Sequence, residues 1–510
     1  MTKLWSFRGA PTDRNPKFHP MNSRDARAGG GMNRGSRFRD ALLGSSAIVA
    51  LAAIPALTGE SEDLTAQIEQ LQSRLDQLEK QQGVTEAKVD AKQAAAPADA
   101  VVGGDFPDSF KLPGSDTSIA IHGYTKLDIL FDVNQQAGDS FDVTGILPNG
   151  SAEERRGEQV RIHARESRLT FETRTPTNYG QLMTFIQGDF FGTGGNQFFS
   201  NSTSFRIRHA YGVLGPMLAG QTWTNWMNVD DLPETLDFQG PSGQIFIRQA
   251  QLRYTQALGK FSLSGAIENP EGDVTTNTGV NSSGAIPQNP NDAVHNINRM
   301  PDLTARGVYT DSWGHISASL LGRYFETDNG GGDSGLPAKQ SASAFGGGGD
   351  VSGVINIGKL IDFAPIASDA IGFNGFYGSG IGRYVNIGGA TFNSAVIKNF
   401  GTTAVREETQ PTWGGFVWYL HNWTDTLRTN AVFGIQENHW SDAIINPGNS
   451  ALTDRIITSH ADLIWSPVKS VNLGVEYMWG ERDFHHTPGT GGNQKAGNDN
   501  RIQFSAQYLF

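Results

Sequence analysis

Residues 471–480 read VNLGVEYMWG. Side chains alternate across a strand with period two, so Val471, Leu473, Val475, Tyr477 and Trp479 share one face. Asn472, Gly474 and Glu476 share the other. HISASLLGRYF (315–325) repeats the pattern, with Ile316, Ala318, Leu320, Gly322 and Tyr324 against His315, Ser317, Ser319 and Arg323. LRTNAVFGI (427–435) puts Leu427, Thr429, Ala431, Phe433 and Ile435 on one side. The last ten residues, RIQFSAQYLF (501–510), set Ile502, Phe504, Ala506, Tyr508 and Phe510 against Arg501, Gln503, Ser505 and Gln507. Alternating runs of about ten residues are what strands crossing an outer membrane require.

From Ser115 onward such runs start near residues 118, 161, 179, 203, 217, 244, 259, 301, 314, 341, 370, 410, 425, 453, 469 and 500. Short turns (TPTNYG, LGPMLAG, DSWG, HNWTDT, SPVKS) separate long polar loops near 134–158, 270–299, 326–341, 438–451 and 484–499. An even count with short turns on one side and long loops on the other predicts an all-β fold. Its form is a transmembrane antiparallel β-barrel of about 16 strands, preceded by a short N-terminal coiled-coil helix. Closure satisfies every backbone group in lipid and leaves no edge. Trp223, Trp226, Trp313, Trp413, Trp418, Trp423, Trp440, Trp465 and Trp479 fall near strand ends, as an interfacial girdle requires. A soluble sandwich would need a continuous apolar core, whereas these polar faces are rich in Arg, Gln and Ser and suit a wet lumen.

Composition narrows the function. A formal charge of −12 excludes the basic footprint of a nucleic-acid binder. The absence of cysteine excludes disulfides, thiolate metal sites and a cysteine nucleophile. No nucleophile-elbow motif is present, and His485–His486 lies in a Gly-rich loop with no third metal ligand at usable spacing. The reading is no enzyme and no cofactor.

The first 114 residues read as organising export and assembly. NRGSRFRD (33–40) is a basic segment, and ALLGSSAIVALAAIPAL (41–57) is an apolar run of signal-peptide length. Small residues from Ala56 to Gly59 fit cleavage, which assigns 33–59 as the signal peptide. Residues 1–32 then form a misassigned extension, with Met32 as the start; the alternative is a soluble extension. Leu64, Ile68, Leu71, Leu75 and Leu78 recur at spacings of four and three, a heptad seam over 60–82. About three heptads are marginal alone, so the periplasmic segment assembles between subunits or lies on its own domain. KQAAAPADAVVGGDFPD (92–108) belongs to a linker, 83–114, and the barrel takes 115–510.

The barrel region holds 19 Arg and only 7 Lys. An arginine facing lipid at the bilayer midplane costs about 2–4 kcal/mol, so mid-strand arginines must face the lumen. In RIHARESRLTFETR (161–174), Leu169, Phe171 and Thr173 face out and Arg168 and Glu172 face in. Arg161 and Arg165 have the opposite parity, which places them before a bulge or at the loop margin. In FRIRHAYGVL (205–214), Phe205, Ile207 and Tyr211 suit lipid, leaving Arg206 and Arg208 inside. In IFIRQAQLRYT (245–255), Arg253 faces inward and Arg248 sits at the strand start; Arg323 is inward as well. Guanidinium groups bind carboxylate or phosphate through a two-pronged fork, so a ladder of them favours anions. Alternatively they pair with Glu166, Glu172, Asp189 and loop acids to hold the wall. After the fifth strand, NVDDLPETLDFQGPSG (228–243) reads as an infolded constriction loop, with Asp231, Glu234 and Asp237 setting a transverse field, or as a solvated external loop.

SFKLPGSDTSIAIHGYTKLDILFD (109–132), SRLTFETRTPTNYG, GDFFG, RIRHAYGVLG, LAGQTWTNW and PETLDFQGP together resemble the DcaP-like family of outer-membrane channels. The resemblance is strong over about 109–260, and by pattern extends to Phe510. It implies a homotrimeric, sixteen-stranded porin of a Gram-negative outer membrane, embedded in outer-membrane lipid and admitting small anionic solutes such as dicarboxylates. Arg168, Arg206, Arg208, Arg248 and Arg253 carry over as anion contacts. A strand ending in Phe510, with Tyr508 before it, resembles the signal read by the barrel assembly machinery. Competing readings are a phosphate- or polyphosphate-selective porin, for which lysine is scarce here, and an envelope-anchoring adhesin, for which the barrel takes too much of the chain.

Overall fold

The computed structural model describes residues 74, 102–150, 156–276, 281–282, 295–328, 341–361, 363–385, 394–398, 405–440, 453–484 and 496–510. The extension, the signal peptide, all of the heptad segment but Arg74, and His485–His486 lie outside them. Two compact units divide the described chain. One holds 104–110 and 116–510; the other holds 102–103 and 111–115, where Lys111 N donates to Val102 O at 2.9 Å.

Alternation does what the sequence demands of it. Sixteen strands pair with their neighbours in chain order: β1 Ser118–Asp132, β2 in two pieces (Gln159–His163 and Arg168–Thr177), β3 Gly180–Asp189, β4 Arg206–Leu214, β5 Met217–Trp223, β6 Arg248–Leu258, β7 Phe261–Glu268, β8 Asp302–Asp311, β9 Gly314–Asp328, β10 Ser341–Asn356, β11 Ala370–Ser379, β12 Pro411–Asn422, β13 Leu427–Asn438, β14 Thr453–Val468, β15 Val471–Phe484 and β16 Ala496–Leu509. The sheet closes through β1 and β16, with Tyr124 opposite Leu509 and Asp132 opposite Arg501. Phe510 extends that ladder, exchanging backbone hydrogen bonds of 3.0 and 3.1 Å with Gly123. In β15 the expected faces separate cleanly: Val475 and Tyr477 are exposed, while Asn472 and Glu476 are fully enclosed.

Long loops follow the odd-numbered strands. The loop after β1 (L1, 133–158), after β3 (L2, 190–205) and after β5 (L3, 224–247) matter most here. L3 is buried almost along its whole length. Its Asn225 N donates to Glu268 on β7 (2.8 Å), and its Leu236 and Asp237 N–H groups donate to Glu476 on β15. Ser242 N reaches Thr458 on β14 at 2.8 Å. The loop therefore crosses the lumen. Gly243 permits this, because its φ is +73° and a Cβ there would meet Gly415 and Ile435 backbone atoms at 2.3–2.6 Å.

The interior is not uniformly wet. Trp226, Met227 and Leu232 of L3 pack with Phe376, Phe416, Trp418 and Leu420 on β11 and β12, and with Ile381 and Tyr384 beyond β11. Phe141, Val143 and Ile146 of L1 pack on Ile456 of β14 and Met478 of β15. These clusters lie mainly against β9–β15, with Trp223 of β5 joining the first.

Two expectations change and a third is resolved. Trp223, Trp226 and Trp418 are enclosed rather than part of a girdle; Trp418 shares inward parity with Phe416 and Leu420, and its indole N–H donates to Asp231 O at 2.5 Å. Tyr211 faces inward, because a bulge at Arg208 leaves His209 opposite Gln187 and Ile207 opposite Gly188, which flips every later residue of β4. The opposite parity of Arg161 and Arg165 comes from a break over 164–167, where Ser167 N turns back to Ala164 O at 3.1 Å and both parts of β2 keep arginines inward.

Candidate functional site

Arginine on the lumen wall has two fates: enclosure with a partner or contact with water. Arg168 is 7% exposed, Arg208 1%, Arg253 2% and Arg323 3%. Arg161, Arg165, Arg206 and Arg248 are more open. The eight arginines of the sequence reading therefore divide into a buried set and a partly exposed set.

Three of the open set, Arg161, Arg165 and Arg206, gather where three loops converge. Arg206 grips Asp189 of β3 in a fork, Nε to Oδ1 and Nη2 to Oδ2, both 2.9 Å. Bulged Arg208 binds the same carboxylate from behind at 2.9 Å, and Gln187 at 3.2 Å. Asp139 of L1 is held by Arg161 Nη1 at 2.5 Å and by Arg165 Nη1. Arg165 also donates to Gly192 O of L2 at 2.9 Å. Phe191 of L2 and Phe238 of L3 stack with centroids 4.3 Å apart. The Arg206 guanidinium lies 5.6 Å from the first ring and 5.3 Å from the second; Arg165 lies 5.6 Å from Phe191 and Arg208 5.4 Å from Phe238. Cation–π attraction of this kind holds a guanidinium flat without using its hydrogen-bond donors. Four guanidinium groups thus surround two carboxylates, and the balance is two positive charges.

A second cationic station lies on β6. Arg248 sits 4.3 Å over Trp223 and 5.8 Å over Phe246 of L3. Arg253 is spent on Gln251 (2.8 Å) and Trp223 O (2.6 Å). Arg168 lies 5.1 Å over Tyr124. Arg323 belongs to neither station: it binds Asp302 (3.1 Å), Gly380 O (2.8 Å), Ser394 (2.8 Å) and Glu271 O (2.7 Å), tying the loops after β7 and β11 to β9.

The acids of L3 face the opposite wall. Glu234 accepts a fork from Arg428 of β13, at 2.7 and 2.5 Å. Asp237 accepts from Phe141 N of L1 (2.8 Å) and from Gln239 N and Gly240 N. Burial pushes the Asp237 carboxyl above the usual carboxylate range. Asp231 is 2% exposed. Glu234 ties L3 to β13, Asp237 ties it to L1, and the Asp231 backbone carbonyl ties it to Trp418 of β12; all three residues are enclosed.

Sequence reasoning missed Asp139, Phe191 and Phe238. Nothing in a polar loop marks which aspartate will meet the arginines, and GDFFG does not say which phenylalanine turns inward. No metal-binding cluster exists among the described residues.

A family model described as DcaP outer membrane protein matches residues 49–291. Among solved structures, the chain is similar to the outer membrane channel DcaP of Acinetobacter baumannii, at 22% identity over 80% of this chain and 100% of that one, with a TM-score of 0.62. It is more distantly similar to an anion-selective porin from Comamonas acidovorans (12% identity, 77% and 100% covered, TM-score 0.44). The trimer form of OmpT from Vibrio cholerae gives 10% identity, 77% and 99% coverage and a TM-score of 0.43. No curated protein sequence matches. The sixteen-stranded barrel is thus a known channel fold, and the chain is a protein of the outer membrane.

Proposed function

From the premise that the chain is a DcaP-like outer-membrane channel, we propose that it passes small anionic solutes, dicarboxylate-like organic acids, by passive diffusion. The observation that carries this is the excess of four guanidinium groups over two carboxylates at Arg161, Arg165, Arg206 and Arg208. Arg248 is the next contact along the wall, and the fork geometry suits planar carboxylate. The buried set, Arg168, Arg208, Arg253 and Arg323, contributes fixed positive potential and holds the wall. The acids Asp231, Glu234 and Asp237 anchor the constriction loop opposite, which sets the direction of a transverse field. The role is transport without chemistry.

Reversal potentials across planar bilayers under a potassium chloride gradient test the proposal. Chloride preference supports it; potassium preference, or no conductance, sinks it.

Assembly as a homotrimer in outer-membrane lipid is part of the same proposal. Its support is the heptad seam at 64–78 and the pair Phe198–Phe199 on L2, exposed by 99% and 86%. Apolar surface of that kind marks an interaction site. Delivery by the barrel assembly machinery through β16, with Tyr508 and Phe510 on its outer side, completes the reading.

A further inference from the structure

Asp139 is not where loop acids usually sit. It projects from L1 into the β2 wall, where its side chain is 10% exposed between Arg161 at 31% and Arg165 at 18%. One oxygen meets Arg161 at 2.5 Å and the other meets Arg165. His163 Nε2 lies 2.9 Å from the Asp139 carbonyl oxygen. A carboxylate with one oxygen on each of two guanidinium groups is what a carboxylic acid solute would present to them. The chain supplies the same group covalently.

The segment carrying Asp139 is bracketed by Gly138 and Phe141, and single hydrogen bonds hold it between them. Gly138 precedes it in the left-handed region, φ +81°, with only Ser140 O within 4 Å of a built Cβ. Phe141 follows as a fixed point, 1% exposed and bonded through its N–H to Asp237 of L3. Between those points, Ser140 donates to Gln239 at 3.0 Å and Arg501 to Gly138 O at 2.7 Å. Beyond the segment, Val143 and Ile146 of L1 pack on Ile456 of β14 and Met478 of β15.

We propose that Asp139 is a resident carboxylate of the Arg161–Arg165 clamp, and that a carboxylate solute passes by displacing it. This inference rests on the anion-passage reading. Asp139 is then a specificity-determining residue. It screens the clamp from chloride and other weakly hydrogen-bonding anions, and yields to a solute that can satisfy both arginines at once. Two carboxylates on one solute gain over one, because the second reaches Arg206 while the first holds the clamp.

The test uses the full chain in planar bilayers and in detergent. Succinate is added to a chloride current, and the concentration that halves the current is measured for wild type, Asp139→Asn and Asp139→Ala. Both variants are expected to be blocked at about fivefold lower succinate, the factor appropriate to removing a competing carboxylate held by two partly exposed ion pairs. An unchanged blocking concentration, with wild type still chloride-preferring, overturns the role of Asp139 and leaves the anion reading standing. A wild type that prefers potassium removes the anion reading itself. Amide exchange of wild type alone keeps the question decidable if neither variant assembles. Succinate should speed exchange from Ala137 to Phe141, since displacement frees the segment; slower or unchanged exchange there overturns the proposal.

Discussion

Arg206 and Arg208 bind one carboxylate from two sides, and their different exposure separates selectivity from stability. The Arg206 side chain is 35% exposed, that of Arg208 2%, and Asp189 is wholly enclosed. Consider Arg206→Gln. A monovalent ion passing about 6 Å from the lost charge feels about 0.7 kcal/mol in water, and screening at 0.1 M salt leaves about 0.4 kcal/mol. That is about twofold in local concentration, gained by the cation and lost by the anion, so the chloride-to-potassium permeability ratio falls about fourfold. Asp189 keeps Arg208, so folding is little affected. Arg208→Gln is the converse. The lost group is enclosed and hydrogen-bonded to two neighbours; Asp189 keeps the Arg206 fork, so the cost is that of the lost buried charged hydrogen bonds, about 1.5–3 kcal/mol. Reversal potentials measure the first effect. Heat-modifiable gel mobility in a urea series measures the second. Equal reversal potentials for wild type and Arg206→Gln would refute the reasoning, and so would a selectivity change in Arg208→Gln without a loss of stability.

Arg248→Ala should lower the same permeability ratio by a similar factor and loosen Trp223 and Phe246 by about 1 kcal/mol of cation–π energy, read as increased indole fluorescence quenching by iodide. Glu234→Gln removes one partner of a buried fork and leaves Arg428 uncompensated at a cost of about 3–5 kcal/mol; L3 amides 228–243 should exchange faster and single-channel current noise should rise. Phe198→Ser with Phe199→Ser should shift the detergent-solubilised species from trimer to monomer on light scattering, with reversal potential unchanged in what remains inserted.

How much of this was legible follows from where each side chain gets its environment. A strand residue inherits its face from parity, so Arg253, Gln251 and Gln249 fell inward and Ala250, Leu252 and Tyr254 outward as the sequence required. Parity fails where the ladder slips. Tyr211 was misplaced by one extra residue at Arg208, and no composition signal in RIRHAYGVL announces that slip, since both parities offer acceptable side chains there. The break at 164–167 was visible as a conflict between Arg165 and Arg168, because two arginines three apart cannot share a face in a regular strand. The tryptophans failed for another reason. Nearness to a strand end in sequence is equally true of residues that continue into an infolded loop, and Trp223 and Trp226 do that.

Loop residues inherit nothing from parity, and the site depends on them. Asp139, Phe191 and Phe238 come from three loops whose tips meet over the β2–β4 wall, a meeting fixed by loop path rather than by local spacing. The arginines alone are compatible with two outcomes, an anion path or a wall of satisfied pairs, and the structure divides them into an enclosed, paired set and a partly exposed one. Arg323 and Arg253 are consumed by fixed partners, whereas Arg206 is held by one fork and two rings and still meets water. Pairing and anion attraction are therefore not rival explanations of the same residue. A carboxylate that carries two guanidinium groups, as Asp189 and Asp139 each do, orders them and still leaves one positive charge unspent. On the proposed reading, that residual charge, fixed in place by its own counter-ion, is the source of the lumen's preference for anions.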